Sequence, residues 1–306
     1  MKRREFIIKS AAAGITAGAA YTAGGYGNLL AAGSLPAAID IVAVRGGEAE
    51  AMFDMGISAL GGMTNFVKKG QKVVIKPNIG WDVVPERAAN TNPKLIKRIV
   101  EHCFRAGAKE VFVFDNTCDN WVKCYKNSMI EKYAKDAGAR MVPGDSESYY
   151  QQVSIPGAKI LKTTSVHEKI LESDVFINVP ILKVHSSAKM TANLKNMMGV
   201  VWDRKFWHSN NLHQCIADFG LFEKKPSLNI IDCYNVMTKN GPRGVSLSDV
   251  ENMKAQIIST DWVAGDTAAA RMLGLDPVQV DYIPMAHSLG VGSMEIEKMN
   301  IHKIAM

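Results

Sequence analysis

The stretch TNPKLIKRIVEHCFRAGAKEVFVFDN, Thr91 to Asn116, decides how this chain folds. Thr91 or Asn92 can accept a first-turn N–H, and Pro93 fits the first helical position, where its missing N–H needs no partner. Leu95, Ile96, Ile99, Val100, Cys103 and Phe104 form one apolar stripe at helical spacing, and Gly107 ends the helix. Glu110 to Phe114 then reads as a strand. Upstream, the turn Lys69-Gly70 leads into Lys72 to Ile75, a second β-rich run. Strand, helix and strand in that order form a crossover unit, which pairs its strands in parallel and covers the sheet with the helix.

Working outward, the same alternation recurs. Ile39 to Val44 reads as a strand and Glu48 to Leu60 as a helix; Asn127 to Gly138 is a helix followed by a short strand, Arg140 to Val142. Pro143 to Thr164 is irregular and reads as a hairpin or an excursion. Ser173 to Val179 returns to strand, Ser187 to Met198 has a polar helical pattern, and Asn210 to Phe222 is a firmer helix. Leu228 to Asp232 and Lys254 to Ser259 are strands, Ala264 to Leu273 and Pro277 to His287 helices, and Tyr234 to Asp249 a loop that could cover a pocket. The expected fold is a three-layer α/β domain with a mainly parallel sheet, helices on both faces and some antiparallel additions.

The N-terminal MKRREFIIK carries Arg3-Arg4, Phe6 and Lys9 ahead of a small-residue segment, Ser10 through Ala32. That pattern reads as a twin-arginine export signal. Its Gly-Ala-rich segment is too weakly apolar for a permanent transmembrane helix, and no cysteine lies nearby for lipid attachment. The expectation is therefore a signal segment, residues 1–32, and one domain, residues 33–306, delivered to the periplasm or otherwise exported by the twin-arginine machinery. Residues 1–32 hold four cations and one carboxylate, so the formal balance falls from +6 to +3, 32 against 29. That is too weak a basic excess for a dedicated nucleic-acid binder. The five cysteines form no dense framework; Cys103 and Cys215 fall on apolar stripes, while Cys118 and Cys124 lie close enough to pair in an oxidising compartment.

Ligands of open parallel sheets meet the loops beyond the carboxyl ends of the strands, and here several strands end in polar groups. One ends at Lys76 and Asn78, the next at Asp115, another leads through Pro180 to Lys183 and His185, and a later one ends at Asp232. Lys183 and His185, two apart, share one side of an extended backbone. Lys195 and Asn196 follow in LKNMMG, and His208 in WDRKFWH. Lys76, Lys183 and Lys195 suit an anion, Asn78 and Asn196 its orientation, and His185 or His208 proton transfer. Alternatively the two histidines hold an optional divalent metal with Asp115 or Asp232, although no compact metal motif fixes the ligands. Asp266 caps a helix or orients a neighbouring lysine, and Gly241 and Gly244 permit tight turns or close ligand approach. No Walker A loop or GxGxxG fingerprint occurs, so the cofactor stays unassigned.

The ordered set VVIKPN, the TNP helix, DVFINVPILKVH, LKNMMG, KFWH, IIDCYNVMTKNGPRG and STDWVAGDTAAARMLG resembles the domain of unknown function 362 family over most of the chain after the leader. The resemblance directs attention to Lys76, Asn78, Asp115, Lys183, His185, Lys195, Asn196, His208, Asp232, Gly241, Gly244 and Asp266. Some relatives carry ferredoxin-like cysteine segments; this chain has no CxxCxxC run, so no iron–sulfur redox role follows. The leading expectation is an exported enzyme acting on a small anionic metabolite, phosphorylated ones included, its reaction unassigned. A non-enzymatic binding protein for an anionic metabolite or cofactor is the alternative, and a structural envelope protein the third.

Overall fold

In the computed structural model, which describes residues 39–306, the helix Pro93–Arg105 begins where the Asn92 side chain accepts the Lys94 N–H at 3.0 Å. It buries Leu95, Ile96, Ile99, Val100 and Cys103, and Gly107 turns the chain out with a φ of 96° that a side chain would resist. The flanking strands β2 (Lys72–Pro77) and β3 (Glu110–Val113) pair in parallel, as the crossover requires.

In chain order the remaining strands are β1 (Ile41–Arg45), β4 (Arg140–Met141), β5 (Tyr150–Ser154), β6 (Thr163–His167), β7 (Val175–Val179), β8 (Ile181–His185), β9 (Lys189–Thr191), β10 (Leu228–Met237), β11 (Val250–Ser259) and β12 (Ile301–Ala305). The main sheet runs β12-β1-β11-β10-β7-β2-β3-β4, with β8 beside β10 and β9 beside β8. From β10 to β4 it is parallel; β11 is antiparallel to both β1 and β10. β5 and β6 form a separate hairpin within the region that the sequence leaves irregular.

Alternate residues feed two cores. Val73 and Ile75 of β2 join Phe53, Ile96 and Ile130 on one face, whereas Val74 joins Phe176, Ile216 and Ile283 on the other. Helices Ala49–Ala59, Pro93–Arg105 and Ile130–Asp136 pack on the first face; Leu212–Phe219, Trp262–Met272 and Tyr282–Ser288 pack on the second. The molecule is thus the three-layer, mostly parallel α/β arrangement expected from the sequence. No helix among the described residues is long and apolar enough to cross a membrane. The twin-arginine pattern and the leader lie outside the described residues.

Local departures have local causes. The helix expected over Asn127 to Gly138 runs Ile130–Asp136, and a further helix, Trp121–Asn127, precedes it, the two separated where Met129 adopts a φ of 62°. The expected helix around Ser187 to Met198 begins instead as β9 and becomes a single turn, Asn193–Asn196, continued by the 3-10 turn Met197–Val200.

Candidate functional site

Pro180 sets up the site. β7 lies between β10 and β2, with Lys76 opposite Asn178 and Pro77 opposite Val179. Beyond Pro180, β8 keeps its pairing to β10, where Ile181 stands opposite Asp232, and pairs no further with β2. The carboxyl ends of β2 and β3 therefore part from β8, leaving a cleft of ≈390 Å³. Its lining includes Lys76, Asn78, Asp115, Lys183, His185, Lys195, Asn196 and His208, eight residues that the sequence places among candidates.

Buried amides hold the floor. The Asn196 Oδ1 accepts from the Lys76 Nζ (2.7 Å) and the Asn78 Nδ2 (3.2 Å), while its Nδ2 donates to the Asn178 Oδ1 (2.8 Å). Asn178 donates in turn to Asn229 (3.0 Å) and to the Asn193 carbonyl (3.2 Å), tying the helical turn to β7 and β10. Fully connected networks of this kind fix one arrangement, because an unpaired amide in a dry interior is costly.

Lys76 and Asp115 form an ion pair, Nζ to Oδ1 2.9 Å, with side chains 1% and 3% exposed. The Asp115 Oδ2 also accepts the Ile79 N–H at 2.6 Å. Burial pulls the Lys76 pKa down and pushes the Asp115 pKa up, and the partner's charge opposes each shift. Gly199 closes over this pair: a Cβ there would lie 1.8 Å from the Asp115 Oδ1 and 2.5 Å from the Lys76 Nζ. Gly199→Ala is accordingly expected to force the pair apart and to destabilise the fold by about 2–4 kcal/mol; a denaturant midpoint within error of wild type would refute the close approach.

The other cations lack a carboxylate. Lys183 Nζ donates to the Ala89 carbonyl (2.5 Å) and the Asn78 Oδ1 (3.3 Å), and burial lowers its pKa to about 7. Burial likewise lowers Lys195 to about 8, with Arg204 and Lys76 adding to the effect. Arg204 spans the loop after β3, donating to the carbonyls of Asn116 (2.9 Å) and Thr117 (2.7 Å). The His185 Nδ1 accepts the N–H groups of Ser187 (3.1 Å) and Ala188 (3.2 Å), closing the β8–β9 turn. Burial and the neighbouring Lys195 and Lys183 push its pKa down to about 2. At neutral pH the ring is therefore uncharged, with its proton on Nε2. His208 sits at the cleft mouth with its side chain largely exposed, and partial loss of hydration, with Lys195 adding to it, lowers its pKa.

Four candidates lie elsewhere. Asp232 lines a different pocket with Glu48, Asn92 and Tyr234, and its carboxylate accepts the N–H groups of Asn92 (2.7 Å) and Tyr234 (3.1 Å). Asp266 sits behind the floor, accepting the N–H groups of Asn193 (2.6 Å) and Leu194 (3.1 Å), so it orients the turn that carries Lys195 and Asn196. Gly241 lets its loop meet β8, where a Cβ would fall 1.9 Å from the Val184 carbonyl oxygen, and only Pro242 of that loop lines the cleft. Gly244 packs on Met237 in the same loop.

Sequence reasoning missed Arg204, Gly199 and Thr191 as lining residues; none stands at the end of a readable strand. Cys118 and Cys124 are both free, Cys118 in the cleft lining and Cys124 buried. No group of three or more potential His, Cys, Asp or Glu metal ligands is gathered among the described residues.

Comparison with known proteins adds the following. Thylakoid-associated protein sll1697 from Synechocystis sp. (strain ATCC 27184 / PCC 6803 / Kazusa) is 25% identical over 258 residues, covering 79% of this chain and 75% of that one. Among solved structures, the lactate racemase apoprotein from Thermoanaerobacterium thermosaccharolyticum aligns at 11% identity and a TM-score of 0.45, over 71% of this chain and 54% of its own. A protein from Thermotoga maritima aligns at 12% identity and a TM-score of 0.49, over 74% of this chain and 59% of its own. The chain thus spans little more than half the length of either structure. The family described as Domain of unknown function (DUF362) matches residues 73–271, well over half of the sequence and every residue that lines the cleft; the chain belongs to that family.

Proposed function

We propose that this chain is an enzyme acting on a small anionic metabolite, a carboxylate or a phosphate ester, bound in the cleft beyond β2, β3 and β8. One observation carries the reading: Lys183, Lys195 and Arg204 share that cleft, while Asp115, the carboxylate among its described lining residues, is already matched to Lys76. Cationic charge left uncompensated in a concave, partly dry site is an anion receptor. Lysines held near neutrality, beside an uncharged imidazole that presents an N–H, also supply groups able to donate or accept protons near neutral pH. That favours turnover over storage.

The test is chemical. Purified full-length protein is incubated with a mixture of small carboxylates and phosphomonoesters, and the mixture is followed by mass spectrometry. An anion consumed by wild type and spared by Lys183→Met supports the proposal. An anion retained tightly and recovered unchanged would make the protein a binder, and no anion bound at all would sink both readings.

We further propose delivery by the twin-arginine route to the periplasm, on the strength of Arg3-Arg4, Phe6 and Lys9 before a weakly apolar segment. Replacing both arginines by lysine is expected to leave the protein in the cytoplasmic fraction. Unchanged export of that double variant would count against the route.

A further inference from the structure

Lys195 differs from its neighbours. Lys76 is matched to Asp115 and Lys183 to the Ala89 carbonyl, whereas the Lys195 ammonium makes no hydrogen bond or ion pair with any described residue. It is nonetheless only 9% exposed and lines the cleft. A lysine needed only for charge could stand at the mouth, in water, as Lys205 does. Keeping a long, rotamer-rich cation buried without a partner costs stability. The cost is borne by a rigid support: Asp266 anchors the turn at Asn193 and Leu194, and Asn196 locks it to Asn178.

A buried amine with no donor duty has its lone pair available whenever it is deprotonated, and burial, with Arg204 and Lys76 near, enlarges the neutral share over that of an ordinary lysine. His185, on the same cleft, is fixed as an N–H donor able to polarise an oxygen.

We propose that Lys195 is a nucleophile that forms an imine with a carbonyl group carried by the anionic ligand, so that the substrates are small oxo acids or phosphorylated aldehydes and ketones. The inference rests on the anion-binding reading of the cleft. In the step, the neutral amine attacks the carbonyl carbon; a C–N bond forms, and the carbonyl π pair moves to oxygen, which takes up a proton. The nitrogen gives up one proton. The hydroxyl so formed takes up a second proton and leaves as water while the nitrogen lone pair forms C=N, and loss of the remaining N–H proton gives the neutral imine. Amine and carbonyl thus give imine and water, with no oxidant or reductant. The imine, once protonated to the iminium, is an electron sink for bond breaking at the neighbouring carbon.

The experiment uses the full chain with pyruvate as probe and sodium cyanoborohydride to trap any imine as a stable secondary amine, located by peptide mass mapping. Labelling at Lys195 is expected to exceed that at Lys205 by about tenfold or more. It is expected to be suppressed by oxalate, which has two carboxylates and no ketone, and to vanish in Lys195→Arg, which keeps the charge. Calorimetric titration with oxalate runs in parallel. Oxalate binding with no excess label at Lys195, or with label unaffected by oxalate, overturns the imine and leaves the anion reading standing. Absence of oxalate binding overturns both.

Discussion

Asp115→Asn is expected to lower the unfolding free energy by about 3–5 kcal/mol, the range for removing one partner of a buried ion pair. The substitution keeps the shape, so no cavity accompanies it, and the loss is electrostatic. The carboxylate serves two donors at once, the Ile79 N–H at 2.6 Å and the Lys76 Nζ at 2.9 Å. An amide has one oxygen. Turned toward Ile79, it points its NH2 at an ammonium; turned toward Lys76, it points its NH2 at a backbone N–H. Lys76 is 1% exposed and Asp115 is the carboxylate at its ammonium, so in the variant it must remain charged without a counterion or give up its proton. Adding Lys76→Met removes the donor that the amide cannot satisfy, so the double variant should recover part of the loss, a coupling that a double-mutant cycle in urea measures. A fall below about 1 kcal/mol for Asp115→Asn, the level of an ordinary substitution, would mean that the pair is wet and not the buried contact described.

The same pair shows what could be read in advance. Lys76, Asp115, Lys183 and His185 are legible because they sit at or just beyond the carboxyl ends of strands whose apolar runs are short and local. Asp232 obeys the same rule on paper and fails it in space. The strand expected to end there continues as β10 through Met237, so the carboxylate turns away to the Asn92 N–H. Caps divide similarly. Asp261 accepts the N–H groups of Val263 and Ala264 in its own helix, a local pattern visible in sequence. Asp266 serves the turn at Asn193, 73 residues earlier, and nothing local announces it. Arg204 reaches a loop 88 residues away at Asn116, and Gly199 is required by two side chains brought in from β2 and from the end of β3. Periodicity and punctuation report contacts within one or two elements; the cleft is closed by contacts between distant ones, which short-range patterns do not encode.

Oxalate affinity is expected to be nearly flat below pH 7 and to fall as pH rises through 7 and 8. In the free protein Lys183 is lowered from 10.5 to about 7 and Lys195 from 10.5 to about 8, burial being the main cause in each. A bound dianion favours the protonated amines, so binding above these values must take up protons. Each lysine then contributes up to about tenfold in affinity per pH unit, and by pH 9 the combined loss is on the order of a hundredfold or more. Oxalate itself does not titrate in this range, so the change belongs to the protein. Folding stability runs the opposite way. Both folded values lie below the unfolded lysine value, so between about pH 7 and pH 10 the unfolded chain binds more protons, and stability rises with pH across that window. Below it the penalty for burying both charges is present in full. Lys195 is the cleaner probe, because no described partner is orphaned when it is removed. Lys195→Met is therefore expected to raise the melting temperature at neutral pH while weakening oxalate binding, an exchange of stability for function of the kind active sites make. A Lys195→Met protein that melts lower and still binds oxalate as wild type would mean that this lysine is ordinary packing. An affinity unchanged from pH 6.5 to 9 would mean that the cleft lysines are solvated and ordinarily charged, and the cationic receptor would lose its physical basis.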